Sequence, residues 1–324
     1  MAEQMGLIGA YLLNGEGGRA LSGWDEVRGW QPGQGVLWVH LDREQRGTEE
    51  WLEQESGLDF WVTEALLAEE TRPRVVLSND SLLVFLRGVN LNPGAEPEDM
   101  VSVRLWSDGK RIISTRVRRV FAVHDLREAL ARGEGPADAG SFLGRLTEGL
   151  ALNMEGVIEE LKEKMDDLEE GLLDEDAPTT HRPISEFRQH AVILRRYLAP
   201  QRDAMNHLQG GQVSWLSAED RHHLREVTDV MTRYLEEIES VRDRASILRE
   251  ELSGRLTERM ERRMYSLSLI GTLFLPLTFV TGLLGINVGG IPGAEYPLAF
   301  ALVALALLAA GVAQVLFMRW RGWF

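Results

Sequence analysis

The chain has 324 residues, no cysteine, 26% charged side chains and a formal charge of −15. The absence of cysteine excludes disulfides and thiolate metal centres, and so acidic a surface disfavours a nucleic-acid partner while concentrating cations. The acidity is uneven, because residues 264–324 carry only Arg319, Arg321 and Glu295, a net of +1, which leaves −16 on residues 1–263.

Met1-Ala2-Glu3-Gln4 lacks the basic start of a signal peptide, and the apolar stretch Gly6 to Leu13 is too short for an anchor. Up to about Asp125 the pattern is of short strands: Val36 to Leu41, Arg74 to Leu77, Leu82 to Val89, Val101 to Trp106 and Arg111 to Thr115. Turn residues separate them, at Asn79-Asp80, Asn92-Pro93-Gly94 and Asp108-Gly109. Trp51, Leu52, Leu58, Trp61, Val62, Ala65 and Leu66 predict one or two helices between the first two strands. A small α/β domain is expected.

From Phe142 the period becomes helical, with Leu143, Leu146, Leu150, Met154, Val157, Leu161, Met165 and Leu168 on one stripe. Asp174 to Pro183 breaks it, and a second helix runs from about Ile184 through Leu208 to Gly210-Gly211, predicting an antiparallel hairpin. Its acidic tip, including Glu159, Glu160, Glu163, Asp166, Asp167, Glu169 and Glu170, reads either as a solvated face or as an ion site. Ser217 and Asp220 form a capping-box pattern. Then Leu224, Val227, Met231, Tyr234, Ile238, Val241, Ala245, Leu248 and Leu252 make a heptad seam, suited to packing on copies or neighbours of itself.

No proline intervenes before Pro276, so this helix is expected to run into the charge-free stretch Met264 to Ala294; Tyr296 to Met318 is a second such stretch. Each exceeds the roughly 20 apolar residues that cross a bilayer. Arg255, Arg259, Arg262 and Arg263 precede the first span and Arg319 and Arg321 follow the second, whereas the loop has neither Lys nor Arg. The positive-inside bias therefore places both termini in the cytoplasm, and Trp320, Trp323 and Phe324 at the inner edge with Tyr296 at the outer edge fit interfacial belts. Continuing the seam spacing through the first span selects Met264, Ser268, Gly271, Leu275, Thr278, Gly282 and Gly285. In a ring of helices this stripe would line a narrow pore; alternatively, its small residues simply allow close helix approach. Pro276 removes one backbone donor, with a kink and a freed carbonyl expected near Thr278. A ring of Asn287 amides at the outer mouth would hold a hydrated divalent cation without stripping its water, with Gly285 letting the backbone turn close to the axis.

Pro276-Leu277-Thr278-Phe279, Gly285-Ile286-Asn287, a short loop with Pro292 and a second terminal span closely resemble the two-transmembrane GxN transporters of the CorA superfamily, along essentially the whole chain. Thr71-Arg72-Pro73-Arg74 before a strand is similar to that family's N-terminal domain. The resemblance implies a homopentameric divalent-cation transporter, a mostly helical membrane protein of α+β class with a cytoplasmic funnel. It divides the chain into a cytoplasmic α/β domain (1–135), a helical hairpin (141–210), the cytoplasmic part of a long pore helix (217–263), a pore-lining transmembrane helix (264–287), an outer loop (288–296), a second transmembrane helix (297–318) and a tail (319–324).

Ile286 in place of the methionine usual in the magnesium branch, and the run Val288-Gly289-Gly290-Ile291-Pro292-Gly293, are more similar to the ZntB branch. That implies zinc as cargo, with magnesium or cobalt as the alternative, and Glu295 as the acidic residue that draws cations to the mouth. His40, His124, His181, His190, His207, His222 and His223 are scattered without zinc-enzyme spacing, and no phosphate loop or nucleophile elbow is present, so neither an enzyme nor a resident cofactor is expected. Inward flow, with or without protons, across an inner membrane is expected. A membrane-anchored coiled-coil scaffold is the competing class, and it leaves Asn287, Glu295 and Thr278 without work.

Overall fold

A computed structural model of the chain describes residues 6–15, 18–69, 72–173, 182–211, 213–286, 291, 293 and 296–323. The chain divides into two compact units, Met1–Arg249 and Glu250–Phe324.

The first unit is built on a sheet of seven strands in the order β2-β1-β3-β7-β6-β5-β4. They are β1 (Leu7–Leu13), β2 (Arg19–Leu21), β3 (Val36–Asp42), β4 (Arg74–Ser78), β5 (Ser81–Gly88), β6 (Val101–Ser107) and β7 (Arg111–Arg116). Only β3 with β7 is parallel; the other neighbours are antiparallel. The helices of this unit are α1 (Trp24–Arg28), α2 (Arg46–Gln54), α3 (Phe60–Leu67), α4 (Phe121–Ala131), α5 (Ala139–Leu173) and α6 (Arg182–Gly210), followed by the start of α7 (Ala218–Leu284).

Alternation along β3 explains the layering, because successive side chains in a strand point to opposite faces. Leu37, Val39 and Leu41 join Trp51 and Leu52 of α2 and Val62 and Leu66 of α3 in one core. Trp38, on the other face, meets Phe142 of α5 edge-on with ring centroids 4.7 Å apart. The sheet is thus covered on both faces, as a parallel pairing at its centre requires. Trp38 donates from Nε1 to the Ser114 hydroxyl across the β3–β7 pair at 2.8 Å, and the buried His40 imidazole contacts the same oxygen through Nδ1 at 2.8 Å.

The capping box that opens α7 is present: the Asp220 amide donates to Ser217 Oγ at 3.0 Å, and the Ser217 amide to Asp220 Oδ2 at 2.9 Å. The seam residues Leu224, Val227, Met231, Tyr234, Ile238, Val241, Ala245 and Leu248 are all buried within the single chain. Their partners are neighbours rather than copies. Gln209 of α6 donates to Thr228 Oγ1 of α7 at 2.6 Å, Arg195 of α6 pairs with Glu239 at 2.7 Å, and Lys162 of α5 lies 3.9 Å from Glu237. The seam is therefore occupied inside one chain and carries no argument for self-association. The described part of the acidic hairpin tip is largely paired: Arg244 of α7 forks onto Glu169 and reaches Asp166, and Lys162 holds Glu159. These pairs favour the reading of a solvated, ion-paired face over an ion site.

The second unit contains the rest of α7 and α8 (Ala299–Trp320). Each includes a strongly apolar stretch, none of it buried inside the chain. A soluble core helix would hide such a face, so both helices have the length and composition to cross a membrane. The stretch noted from sequence only as too short for an anchor is β1 of the sheet, and β2 and α4 are elements to which the sequence pattern assigned no structure.

Candidate ion pathway

The stripe selected by spacing lies on α7 in the second unit. Met264, Ser268, Leu275, Thr278 and Gly282 are exposed in the single chain, and Gly271 is partly covered. At about 100° per residue, this stripe is centred roughly opposite the row Leu269, Leu273 and Leu277. The latter row faces α8: Leu273 and Leu277 line an apolar cleft of about 400 Å³ together with Leu307, Gly311 and Val315. Gly311 matters to that approach, since a Cβ there would sit 3.7 Å from Leu277 Cδ1. Packing two helices through one row thus leaves the small and hydroxylated row of α7 free.

The hydroxyls divide into two groups. Thr272 Oγ1 donates back to the Ser268 carbonyl at 2.8 Å, and Thr281 Oγ1 to the Thr278 carbonyl at 3.0 Å. Ser268 and Thr278, both on the stripe, spend their hydroxyls on no partner among the described residues. They are therefore available to water or to the hydration shell of an ion. Met264, 61% exposed, and Leu275, 70% exposed, are the bulky apolar members of the same row, the type of residue that narrows and dries a channel.

At its C-terminal end α7 stops at Leu284, and the Gly285 amide bonds the Thr281 carbonyl at 2.9 Å. Gly285 is not one of the positive-φ glycines. A Cβ there would stand 3.1 Å from the Thr281 carbonyl oxygen, tighter than ordinary van der Waals contact. Ile286 follows, 51% exposed. Asn287 and Glu295 lie outside the described residues, as do Val288, Gly289, Gly290 and Pro292 of the same loop. At the other end, Tyr265 Oη donates to the Trp323 carbonyl at 2.8 Å, and Arg321 stacks near Phe317 and Trp320 with its Cζ 5.8 and 6.0 Å from the ring centroids. This aromatic and cationic cluster suits a headgroup layer.

One residue was missed by the sequence reading. Gln314 of α8 donates from Nε2 to the backbone carbonyl of Thr272 at 2.6 Å. It is the one amide side chain in the charge-free run Tyr296 to Met318, and a lone amide in an apolar span is a signal for an interhelical hydrogen bond. The contact also corrects where the proline leaves its vacancy. An α-helical carbonyl accepts from the amide four residues on, so the acceptor stripped by Pro276 is Thr272, not a carbonyl near Thr278, and it faces Gln314 rather than a cavity.

Among the described residues no three His, Asp or Glu side chains come together as a metal site. His222 and His223, adjacent at the start of α7, go separate ways, to Glu226 at 3.5 Å and to Glu148 at 3.4 Å.

Comparisons with known proteins agree with this architecture. A family model described as CorA-like Mg2+ transporter protein matches residues 33–319. The divalent cation transporter CmaX of Pseudomonas aeruginosa is 45% identical over 309 residues, covering 94% of this chain and 93% of that one. The zinc transport protein ZntB of Pectobacterium carotovorum is 38% identical over 314 residues, with 96% and 94% covered. The structure of full-length CmaX superposes with a TM-score of 0.86 at 43% identity over 98% of both chains. Both relatives are named as transport proteins. With the match spanning sheet, long helix and both apolar helices, the chain belongs to the CorA-like Mg2+ transporter family.

Proposed function

We propose that this chain is a divalent-cation transporter that admits zinc to the cell, as a homopentamer, along the Met264–Ser268–Gly271–Leu275–Thr278–Gly282 face of α7. The observation that carries the reading is the exposure of that face on the side of α7 turned from α8, with the Ser268 and Thr278 hydroxyls unspent. A ring of such faces offers hydroxyls and carbonyls to a hydrated ion between apolar constrictions. In this reading Asn287 and Glu295 complete the outer mouth, residues 264–287 and 297–318 are the spans, 1–135, 141–210, 217–263 and 319–324 are cytoplasmic, and 288–296 forms the outer loop.

Orientation with both termini inside follows from the six arginines flanking the spans and none in the loop. Direction follows from magnitude. A potential of 100 mV, negative inside, is worth about 2.3 kcal/mol per charge. A divalent ion therefore gains about 4.6 kcal/mol on entry, a bias of about three orders of magnitude. No carboxylate or histidine stands among the described residues of either span to couple export. Zinc is favoured by the ZntB relatives and by Ile286 in the GxN motif; magnesium is the second reading, favoured by the family's description.

The test is entry into liposomes carrying the purified protein, with zinc measured beside magnesium, each with and without an imposed proton gradient. Zinc-selective entry is expected, abolished by Asn287→Ala without loss of assembly. Preferential magnesium entry would reassign the cargo, and undiminished flux in Asn287→Ala would remove the mouth ring from the mechanism.

A further inference from the structure

Two polar groups in the second unit have no good solution alone. Pro276 has no backbone N–H, so the Thr272 carbonyl loses the donor that the helix would supply. In hydrocarbon no water can replace it. Gln314, within the otherwise apolar run Tyr296 to Met318, likewise brings a carboxamide into the bilayer, where an unpaired amide is costly. The structure joins the two, with Gln314 Nε2 2.6 Å from the Thr272 oxygen. The orientation of the amide is fixed by chemistry, since a carbonyl accepts and only the NH2 side of the carboxamide donates.

The position of this bond gives it a consequence for transport. Pro276 divides the exposed stripe, with Met264, Ser268, Gly271 and Leu275 before it and Thr278, Gly282 and Gly285 after it. A missing rung at that point lets the second half swing relative to the first. Thr272 stands just before the division, and Leu277 just after it is packed near Gly311 of α8. Helix α8 therefore meets α7 on both sides of its weak point, through Gln314 at Thr272 before it and beside Gly311 at Leu277 after it, and contributes nothing to the stripe.

Resting on the pathway reading above, we propose that Gln314 is a positioning residue for transport: its carboxamide stands in for the hydrogen bond deleted by Pro276 and holds the two halves of the cation-lining face in register. The bond should then be needed only while residue 276 is proline, because an alanine there supplies its own N–H to Thr272.

The experiment is a cycle of Gln314→Leu, Pro276→Ala and the double variant in the full chain. The natural chain has no cysteine, so spin labels can be placed at Phe279 of α7 and Phe300 of α8, both highly exposed, with labelled chains diluted into unlabelled ones. Two readouts are taken, the label distance distribution in liposomes and zinc flux. Gln314→Leu is expected to broaden the distribution and to lower flux about 3- to 20-fold, the range for an interhelical hydrogen bond in a bilayer. In the Pro276→Ala background the same substitution is expected to leave the distribution narrow. An unchanged distribution in Gln314→Leu, equal broadening in both backgrounds, or broadening with undiminished flux would each overturn the proposal. Absence of metal flux in the unsubstituted chain would instead refute the transport reading, and the distances alone would still decide whether Gln314 fixes α7.

Discussion

His40 makes the first unit sensitive to mild acid. The side chain is 1% exposed, lies beside Val123, His124 and Arg127 of α4, and shares the Ser114 hydroxyl with Trp38. Burial, reinforced by the nearby Arg116 and Arg127 guanidiniums, pushes its pKa from 6.5 down to about 3. Between those values the unfolded chain binds a proton that the folded chain refuses, so stability is intact above about pH 6.5 and is lost as pH falls toward 3. Each unit of pH in that window is worth about 1.4 kcal/mol, hence about 2 kcal/mol between pH 6.5 and 5. For a unit of this size that corresponds to a fall in melting temperature of about 4 to 8 °C. Carboxylates held below their ordinary range by partners, such as Glu55 with Arg28 and Asp80 with Ser214, add the same sign only at lower pH. Thermal unfolding of the full chain, followed by tryptophan fluorescence at pH 6.5 and 5, is the assay, with His40→Gln beside it. The natural chain is expected to lose several degrees more than the variant across that interval. Equal losses in the two proteins would refute the reasoning, because glutamine cannot titrate.

Other outcomes follow from single contacts. Thr278→Val keeps the shape and removes an unspent hydroxyl, so zinc flux into liposomes should fall while the melting temperature stays within a degree or two; an unchanged flux would place Thr278 off the pathway. Gly109, at φ 79° in the β6–β7 turn, lies against Trp215, and a Cβ would stand 2.4 Å from the indole Cγ. Gly109→Ala should destabilise the first unit by about 1 to 3 kcal/mol in denaturant titrations. Arg244→Ala should cost about 1 kcal/mol or less, since its partners Glu169 and Asp166 are 39% and 65% exposed, and the loss should shrink at high salt. A loss independent of salt would mean that the arginine acts through packing.

Much of the architecture can be read from local pattern because the physics there is local. The two spans are charge-free over more than a bilayer's thickness, the capping box needs only Ser217 and Asp220, and strands β3 to β7 alternate or run apolar between turn residues. β1 escaped because its pairing with β3 slips between Leu7 and Gly9, so that Leu7, Ala10 and Leu13 are buried with a spacing of three rather than two. α4 left a usable signal, Ala122, Val123, Leu126 and Leu130 on one face, but in a short amphipathic stretch beside strands.

The sequence by itself determined the types of strands β3 to β7 and of the long helices, the apolar helices, the uninterrupted seam and the small-residue stripe, since each is a one-dimensional pattern of period 2, 3.6 or bilayer length. Only the tertiary structure decided what each pattern meets. A heptad seam states that a helix is covered, not by what, and here α5 and α6 of the same chain fill it. The stripe became a free face only once Leu273 and Leu277 were seen against α8. Pro276 removes a donor wherever it is placed, but the residue that replaces it comes from 42 positions away from Thr272, and partners so distant in sequence are chosen by packing, not by spacing.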